Sequence, residues 1–470
     1  MNQYKKLFND SLIFAIGSFG SKLITFFLVG FYTYYLTKAQ YGTADLLINT
    51  INLLLPIVSL SVSEGVLRFV LDSKSKKEQM SWLSVALRIN LIGLAFSGVL
   101  LLIVYLFGLH WTISSSIGLL SFVLLTIQSF QLILMQYIKA VGKLKIYAAN
   151  GIILSLLTLL FGILFFRQIN NKLVAYFLSL VVANSFSLIF LVLNISWKDM
   201  FFKKSASSFQ SKQIIKYSLP LIPNSAMWWI LTTSSRFIMT FFLGVASNGM
   251  YAAASKIPNL LSVLGAIFMQ AWQLSAVEQY HKKDAGLFFQ KVFNHYSTFL
   301  LFSSGMILLF LDPLAAVLLS KEFYFAKAYI PLLLISNFFS CISGFFGTTY
   351  IVVKKTKGIL TTSLIGAAVN LVGSLSLIPL IGINGASLAS SLGFFIIFYL
   401  RKRQTNHLMD SQLTTGTMFL QLGLLIVQIM LKQWGGFSKI FLFTSQGLVI
   451  FLIVLIGLYR SNSGQKGALK

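Results

Sequence analysis

The segment LIFAIGSFGSKLITFFLVGFYTYYL, residues 12–36, decides the fold class. It is long enough to cross the hydrocarbon core of a bilayer, which is roughly 30 Å thick and takes about 20 apolar residues. No small-residue cleavage site follows it, so we expect it to be retained as a helix. Lys22 interrupts the segment near its middle, and a lysine at that depth needs a physical reason.

The rest of the chain has the same apolar character. Of its 470 residues 57% are hydrophobic and only 10% are charged, and the mean hydropathy is +0.82. This composition is too apolar for a soluble domain and predicts an integral membrane protein. The single cysteine, Cys341, leaves no intramolecular disulfide and no thiolate metal cluster to form.

Hydrophobicity extends right round each apolar segment, and the ten-residue alternation of barrel strands is missing. We therefore predict an all-α polytopic membrane protein with 14 transmembrane helices. The predicted spans, numbered 1 to 14 in chain order, are 9–36, 42–71, 81–108, 112–138, 145–166, 173–196, 217–243, 248–277, 290–311, 325–353, 357–380, 384–400, 413–431 and 438–459.

The basic residues of the loops predict the orientation. Most of the 37 lysines and arginines flank one side of the spans, including the run at 401–403 after span 12. The residues on the opposite side are Lys38, Arg167, Lys172, Lys321, Lys327, Lys432 and Lys439. The positive-inside rule then places both termini in the cytoplasm. This pattern accounts for most of the net charge of +26, so a nucleic-acid partner is not required, whereas contact with anionic membrane lipids is expected.

Five basic residues lie inside predicted spans, where each costs at least about 2.5 kcal/mol. They are Lys22, Arg68, Arg88, Arg236 and Lys256, and the acids accompanying them are Asp45 and Glu64. Such residues normally face a protein interior or a water-filled cavity, so we predict a cationic cavity. Lys22 lies about 20 Å from the inner end of its helix, which is too deep for its ammonium to reach the interface.

Other interpretations stay open for two of these residues. Arg68 lies four residues after Glu64 on the same helix face, so the two side chains could form a structural ion pair. Arg68 and Arg88 both lie near enough to the inner face to extend into the cytoplasm as membrane anchors.

An internal repeat relates two parts of the chain. The stretch LTKAQYGTADLLINTINLL (36–54) aligns with LGVASNGMYAAASKIPNLL (243–261) at a constant shift of 207 residues. Because the shift spans six helices, we expect two parallel six-helix repeats around a central cavity. The predicted division is a bundle at 1–196, a basic cytoplasmic linker at 197–212, a second bundle at 213–403, and spans 13 and 14 with a cytoplasmic tail at 404–470.

Prolines inside or beside the spans predict helix kinks, because proline lacks the N–H of the helical hydrogen bond. The predicted kinks are at Pro56 in span 2, at Pro220 and Pro223 at the start of span 7, and at Pro258 in span 8.

Three motifs carry a family resemblance: the turn LTKAQYGTADL after span 1, YSLPLIPNSAMWWILTTSSRFIM in span 7 and GMYAAASKIPNLL in span 8. The chain resembles bacterial polysaccharide flippases of the Wzx type, within the multidrug/oligosaccharidyl-lipid/polysaccharide exporter superfamily. Two positions depart from the pattern. The proline common in the first turn is absent near Lys38 and Ala39, and the acid that often precedes the arginine of span 7 is Ser235 here.

The resemblance implies a non-enzymatic transporter in the bacterial cytoplasmic (inner) membrane, with two bundles in a V. It would move an undecaprenyl-pyrophosphate-linked oligosaccharide to the outer leaflet for capsule, exopolysaccharide or O-antigen synthesis. No cofactor is implied, although a proton or sodium gradient could drive transport, and the pathway's polymerase and glycosyltransferases are expected partners. The predicted substrate contacts are Lys22 at the centre, Arg236 and Lys256 on the outer side, and Arg88 and Arg68 at the inner mouth.

Three other functions remain open. A lipid II flippase for peptidoglycan would share the cationic cavity, whereas a multidrug/cation antiporter of the same superfamily would need deep acids. A membrane-embedded glycosyltransferase or polymerase would need carboxylates or histidines at the outer face, where His110, Asp312 and Glu322 are separated from one another. The chain shows no metal-ligand spacing and no phosphate-binding loop of the G-x-x-x-x-G-K-[ST] type.

Overall fold

A computed structural model describes residues 20–22, 24–106, 115–195, 208–280, 284–353, 355, 357–408, 413–433 and 439–467. Every regular element within these ranges is a helix. The internal contacts divide the chain into two compact units, which we call unit 1 (Met1–Trp229) and unit 2 (Ile230–Lys470). The division at 212/213 drawn from the sequence stays a prediction, because it rests on the linker and not on contacts.

Unit 1 contains eight helices in its described part and the beginning of a ninth. They are α1 (20–35, with residue 23 not described), α2 (Lys38–Val58), α3 (Val62–Asp72), α4 (Lys76–Leu106), α5 (Ser115–Ala140), α6 (Leu144–Gln168), α7 (Lys172–Leu193), α8 (Ser208–Ser218) and α9 (Leu221–Leu243), which continues into unit 2.

Unit 2 continues with nine α-helices and one short 3₁₀ helix in its described part. They are α10 (Val245–Lys256), α11 (Asn259–Gln279), α12 (Ala285–Leu309), α13 (Leu311–Leu318), the 3₁₀ helix Tyr324–Tyr329, α14 (Ile330–Val352), α15 (Lys357–Ile381), α16 (Ile383–Leu408), α17 (Gly416–Gln433) and α18 (Lys439–Gly467).

The lengths and composition of these helices confirm a multi-pass membrane protein. Among the described residues 11 helices could cross a membrane, or 12 if α10 and α11, bent by 45°, form one span. Most of predicted span 1 lies outside the described residues. Helix α9, with 23 residues, is long enough to cross a membrane, but the polar residues at 232–236 lower its hydropathy below that of the 11 candidate spans. The count of 14 therefore stays a prediction.

The helix boundaries follow the internal repeat. Helix α2 begins at Lys38 and α10 begins at Val245, while α3 ends at Asp72 and α11 ends at Gln279. Both pairs of boundaries are separated by 207 residues, the shift of the sequence alignment. The broken helix α2–α3 of unit 1 and the broken helix α10–α11 of unit 2 are therefore corresponding elements.

A pair of aromatic rings marks the same repeat at the end of the preceding helix. Tyr34 and Tyr35 pack edge to face with a centroid distance of 5.1 Å. Phe241 and Phe242, again 207 residues later, pack edge to face at 5.1 Å. Side-chain geometry thus repeats where the residue types have diverged.

The break in unit 1 has a strained backbone. Leu60 and Ser61, between α2 and α3, have φ angles of +48° and +51°. Such left-handed conformations cost a non-glycine residue on the order of 1–3 kcal/mol. Pro56 lies inside α2, one turn before the break, and the N–H of Ser61 donates to its carbonyl. The kink predicted at Pro56 is thus a full interruption of the helix a few residues later.

A close helix contact holds this break in place and gives a prediction. Gly93 on α4 lies against the carbonyl oxygen of Val58, and a Cβ at this glycine would collide with that oxygen. We expect Gly93→Ala to lower the free energy of unfolding by about 1–3 kcal/mol. Gly118→Ala is the control, because no atom lies within 4 Å of the added Cβ. Equal thermal stability of both variants in detergent would contradict this packing.

The break in unit 2 lies at Ile257 and Pro258. Pro258 has no N–H to bond the carbonyl of Ala254, so the helix bends there. The shift of 207 maps Pro258 onto Ile51, which lies inside the continuous helix α2. The two corresponding helices therefore break at different distances from their beginnings.

The other two prolines differ in their effect. Pro220 lies in the turn between α8 and α9, at the start of predicted span 7. Pro223 lies in the first turn of α9, where the backbone N–H groups have no helical partner in any case. Pro223 therefore marks no break.

Lysines on the predicted outer side cap helix ends. Lys172 Nζ donates to the carbonyls of Phe166 (2.7 Å) and Ile169 (3.0 Å) at the end of α6. Lys432 Nζ donates to the carbonyl of Leu308 (2.8 Å) in the last turn of α12. Cations at these carbonyl ends also complement the helix dipole. These structural roles explain why two lysines lie on the predicted outer side, although most basic residues are predicted to be cytoplasmic.

Arg401 is buried, and this corrects its prediction as one of the basic residues that flank a span. The sequence places it in a basic run beside a span, but the structure buries it within α16, with 2% of its surface exposed. Its guanidinium donates to Thr362 Oγ1 (3.0 Å), Ser363 Oγ (2.9 Å) and the carbonyl of Ser343 (2.9 Å). Arg401 thus links α14, α15 and α16 through neutral acceptors.

Asp312 in α13 joins separate elements of unit 2. Its carboxylate lies 2.7 Å from Lys327 Nζ and 3.1 Å from Lys432 Nζ. Partial burial alone would raise the pKa of Asp312, but the hydrogen bonds and charges of the two lysines hold it below its usual value. The carboxylate therefore ties α17 to α13.

This ion pair gives a pH-dependent stability. Because the pKa of Asp312 is lowered on folding, its contribution is present above the unfolded value of 3.8 and is lost as the pH falls through the folded pKa. We expect a loss of about 1 kcal/mol or less, since the group is half exposed. Between pH 7 and pH 3 the unfolding temperature should fall more steeply in the wild type than in Asp312→Asn. Parallel decreases in the two proteins would contradict a stabilising role for this ion pair.

Candidate functional site

Arg236 lies on α9 in unit 2 and is half-buried. Its guanidinium carbon lies 5.1 Å from the centre of the Tyr251 ring on α10, a distance at which a cation is attracted to the ring face. One guanidinium nitrogen also donates to Ser255 Oγ (3.4 Å). The planar group is thereby oriented by two neutral side chains.

Lys256 follows Ser255 in the last turn of α10 and is also half-buried. A cation is favourable there, because the C-terminal end of a helix carries a partial negative charge. The break at Pro258 comes directly after it. The contacts of Arg236 with Tyr251 and Ser255 thus place it beside the same end of α10 that carries Lys256, and the role of both residues as substrate contacts stays a prediction.

A buried polar cluster fixes the segment of α9 that precedes Arg236. Asn370 on α15 is fully buried, and its Nδ2 donates to the carbonyl of Leu231 (2.7 Å). Its Oδ1 accepts from Ser235 (3.3 Å) and from Ser390 on α16 (3.4 Å). Ser235 and Ser374 hydroxyls are 2.8 Å apart. Helix α9 is thus held against α15 and α16 just before its arginine.

The sequence analysis missed several of these residues. Tyr251 and Ser255 lie in a motif that we quoted, yet their contacts with Arg236 depend on how α9 packs against α10. Asn370 received no role, although an asparagine within an apolar span is itself a signal, because an amide is costly in lipid unless it is bonded.

Lys22 is exposed on α1. The adjacent backbone packs on α6, where Ser155 Oγ donates to the carbonyl of Ser21 (3.2 Å) and Gly151 lies against the Ser21 side chain. Packing through Ser21 leaves the next side chain on another face of the helix. Among the described residues, Lys22 has no ion-pair or hydrogen-bond partner.

The structure corrects the predicted pair between Glu64 and Arg68. Arg68 instead forms an ion pair with Asp72 (3.3 Å), four residues later on α3. Glu64, in the first turn of α3, accepts from Gln136 Nε2 on α5 (3.0 Å). An acid is favourable at this helix N-terminus, so Glu64 stabilises the restart of the helix after the break.

Arg88 is exposed on α4 and has no partner among the described residues. The cations of unit 1, Lys22, Arg68 and Arg88, lie on three different helices. Those of unit 2, Arg236 and Lys256, share one end of α10. The grouping of Lys22 with the cations of unit 2 stays a prediction.

Metal-ligating residues do not cluster in the part of the chain that the structure describes. No group of three or more His, Cys, Asp or Glu residues there could hold a metal ion. His110 and His281 lie outside the described residues. Cys341 is a free cysteine on α14.

A comparison with protein families decides what kind of chain this is. The profile of a family described as "Polysaccharide biosynthesis protein" matches residues 7–273, more than half of the chain. The chain belongs to this polysaccharide biosynthesis protein family. All five intramembrane cations of the sequence analysis lie within the matched region. Among curated proteins, no sequence matches significantly.

Solved structures share the fold of this family member. A lipid II flippase MurJ in an inward closed conformation superposes with a TM-score of 0.72 over 96% of this chain and 99% of that chain, at 14% identity. An inward-facing multidrug resistance MATE family transporter of the MOP superfamily gives 0.63 over 84% and 96%, at 13% identity. A mutant of the Vibrio cholerae MATE transporter VcmN gives 0.61 over 88% and 98%, at 14% identity. At these identities the likeness concerns the fold.

Proposed function

We propose that this chain is a flippase that moves a polyprenyl-pyrophosphate-linked oligosaccharide repeat unit from the inner to the outer leaflet of the bacterial cytoplasmic membrane. The family description, the many apolar helices and the shared fold with membrane transporters support a transport function. Polysaccharide export is the process that fits the family, and alternating access is the mechanism that we propose for the fold.

The observation that carries this proposal is the pair of cations at the end of α10. A pyrophosphate is anionic, and its passage through a low-dielectric region is prohibitive unless cations offset the lost hydration. Arg236 offers a planar fork, which suits two phosphate oxygens, and Lys256 offers a flexible point charge. Lys22, exposed on α1 of unit 1, is proposed as a third contact.

The two acids of α3 favour an anionic substrate over a cationic drug. Asp72 is engaged by Arg68, and Glu64 bonds the amide of Gln136 at a helix N-terminus. A cation antiporter would instead need deep carboxylates that are available to its substrate. A proton or sodium gradient as the driving force remains part of the proposal.

Lipid II is the second candidate substrate. Its support is the fold shared with a lipid II flippase along 99% of that chain's length. Both substrates carry an anionic pyrophosphate and a polyprenyl tail, so the cations alone do not separate them. The glycan distinguishes them, and so does the set of partner enzymes: a polymerase and glycosyltransferases for the proposed substrate.

Transport by the purified chain tests the proposal. Proteoliposomes would receive a polyprenyl-pyrophosphate oligosaccharide, lipid II or a cationic dye on one side, and an impermeant lectin or dye quencher would report arrival on the other. We expect the pyrophosphate-linked oligosaccharide to cross faster than in protein-free vesicles. Transport of the dye alone would overturn the proposal, and preference for lipid II would select the second candidate.

A further inference from the structure

Among the described residues of unit 1, helix α8 packs on α3 and α4 by the face that carries Ile214 and Ser218. Ile214 is fully buried against α3, where Gly65 leaves room for it, because a Cβ at that glycine would press on the side chains of Ile214 and Ser218. Ser81 Oγ on α4 donates to Gln210 Oε1 of α8 (2.7 Å). Helix α8 therefore has a fixed orientation on α3 and α4.

The opposite face of α8 combines apolar rings with lysines. Phe209 is 67% exposed and Leu219, just after the helix, is 49% exposed, whereas Tyr217 lies at the edge of this face with its ring packed edge to face on Phe69 of α3 (centroid distance 5.7 Å). Lys212 and Lys216, one turn apart, are exposed between them. Large apolar side chains alternating with cations are typical of a helix that lies at a membrane interface.

The loop between α3 and α4 adds further positive charge at the same end of unit 1. Lys74, Lys76 and Lys77 are all exposed. The nearby acids are already engaged, because Asp72 is in an ion pair with an arginine and Glu78 Oε2 accepts from the backbone N–H of Lys74. Helix α8 itself contains no acid. The lysines thus outnumber the acids available to neutralise them.

We propose that the exposed face of α8 and the α3–α4 loop form a docking surface for the anionic phospholipid head groups of the surrounding membrane. Only two residues separate α8 from α9, the helix of predicted span 7, so the proposed surface lies at the edge of that predicted span. Lysine ammonium groups bind lipid phosphates there, and the Phe209 ring inserts among the head groups. The lysines of this surface are not among the proposed substrate contacts, so the inference does not depend on which substrate is moved.

The test uses the full chain in lipid nanodiscs. A fluorophore is attached at Leu219→Cys in a Cys341→Ser background, and its quenching is compared between phosphatidylglycerol and phosphatidylcholine that carry the same nitroxide-labelled acyl chain. We expect preferential quenching by phosphatidylglycerol, weakened by salt. Lys212→Gln/Lys216→Gln should reduce the preference roughly fivefold for each lysine removed.

The matched control is Lys355→Gln/Lys357→Gln, which removes two exposed lysines from the predicted cytoplasmic side of unit 2. This control should keep the preference. Equal quenching by both lipids, or an equal loss in both double variants, would overturn the proposal. A label reached only by a water-soluble quencher, and protected by an acidic protein, would assign the surface to a protein partner instead.

Discussion

Arg236→Ala should reduce transport of the pyrophosphate-linked substrate about 10- to 100-fold, the effect of losing a hydrogen bond to a charged group. The guanidinium is held by the Tyr251 ring and Ser255 Oγ, both of which survive the substitution. The folded protein should therefore accumulate normally. The measurement is initial transport rate in proteoliposomes that contain equal amounts of each variant.

Three further substitutions separate the charge of Arg236 from its orientation. Arg236→Lys keeps the charge and loses the fork, so it should retain part of the activity. Tyr251→Phe keeps the ring under the guanidinium and should transport almost normally, whereas Tyr251→Leu should lose about two- to fivefold. Full activity of Arg236→Ala would contradict a role in substrate binding.

Arg401→Ala should produce the largest loss of stability, about 3–5 kcal/mol. It leaves the carbonyl of Ser343 and the hydroxyls of Thr362 and Ser363 without their donor, and each unsatisfied buried group costs about 1–3 kcal/mol. The removed side chain also leaves a cavity at the junction of three helices. Thermal unfolding in detergent measures the effect.

Arg403→Ala is the matched control for this loss. Arg403 lies two residues later on α16 and is exposed, so its removal should change the free energy of unfolding by about 0.5 kcal/mol or less. Equal stability of the two variants would show that the buried network of Arg401 contributes nothing.

The sequence predicts those features that depend on composition and on position along the chain. Apolar length predicts the spans, and the shift of 207 predicts where α10 begins and where α11 ends. Arg236 contacts the end of α10 that carries Lys256, because the short connection at Gly244 places α9 beside α10. These are local consequences of helix periodicity and of a short connection.

Features that depend on packing between distant segments are missed. Arg68 has an acid four residues before it, Glu64, and another four residues after it, Asp72, so spacing alone cannot choose between them. Gln136, distant in sequence, bonds Glu64 and leaves Asp72 as the partner. The burial of Arg401 likewise depends on the packing of α14 and α15 against α16, which the local sequence does not show.

The break between α2 and α3 was missed for a different reason. Leu60 and Ser61 adopt positive φ angles that usually favour glycine, so neither residue type indicates a turn there. Proline at 56 indicated a kink but not a complete interruption. The break becomes clear from the packing in the structure, where Gly93 lets α4 lie against the carbonyl of Val58 at the end of α2.

Lys22 provides the most direct test of the flippase proposal, because its charge has no partner among the described residues and the sequence predicts a position in span 1 too deep for its ammonium to reach the interface. The measurement is polymer export in cells that carry Lys22→Ala or Lys22→Arg at matched membrane levels. Removing an unpaired charge relieves a desolvation cost, so Lys22→Ala should insert normally, and Lys22→Arg, which keeps the charge, should insert as the wild type does. We predict that export fails in Lys22→Ala and is partly retained in Lys22→Arg. Full export by Lys22→Ala would contradict a contact between Lys22 and the pyrophosphate.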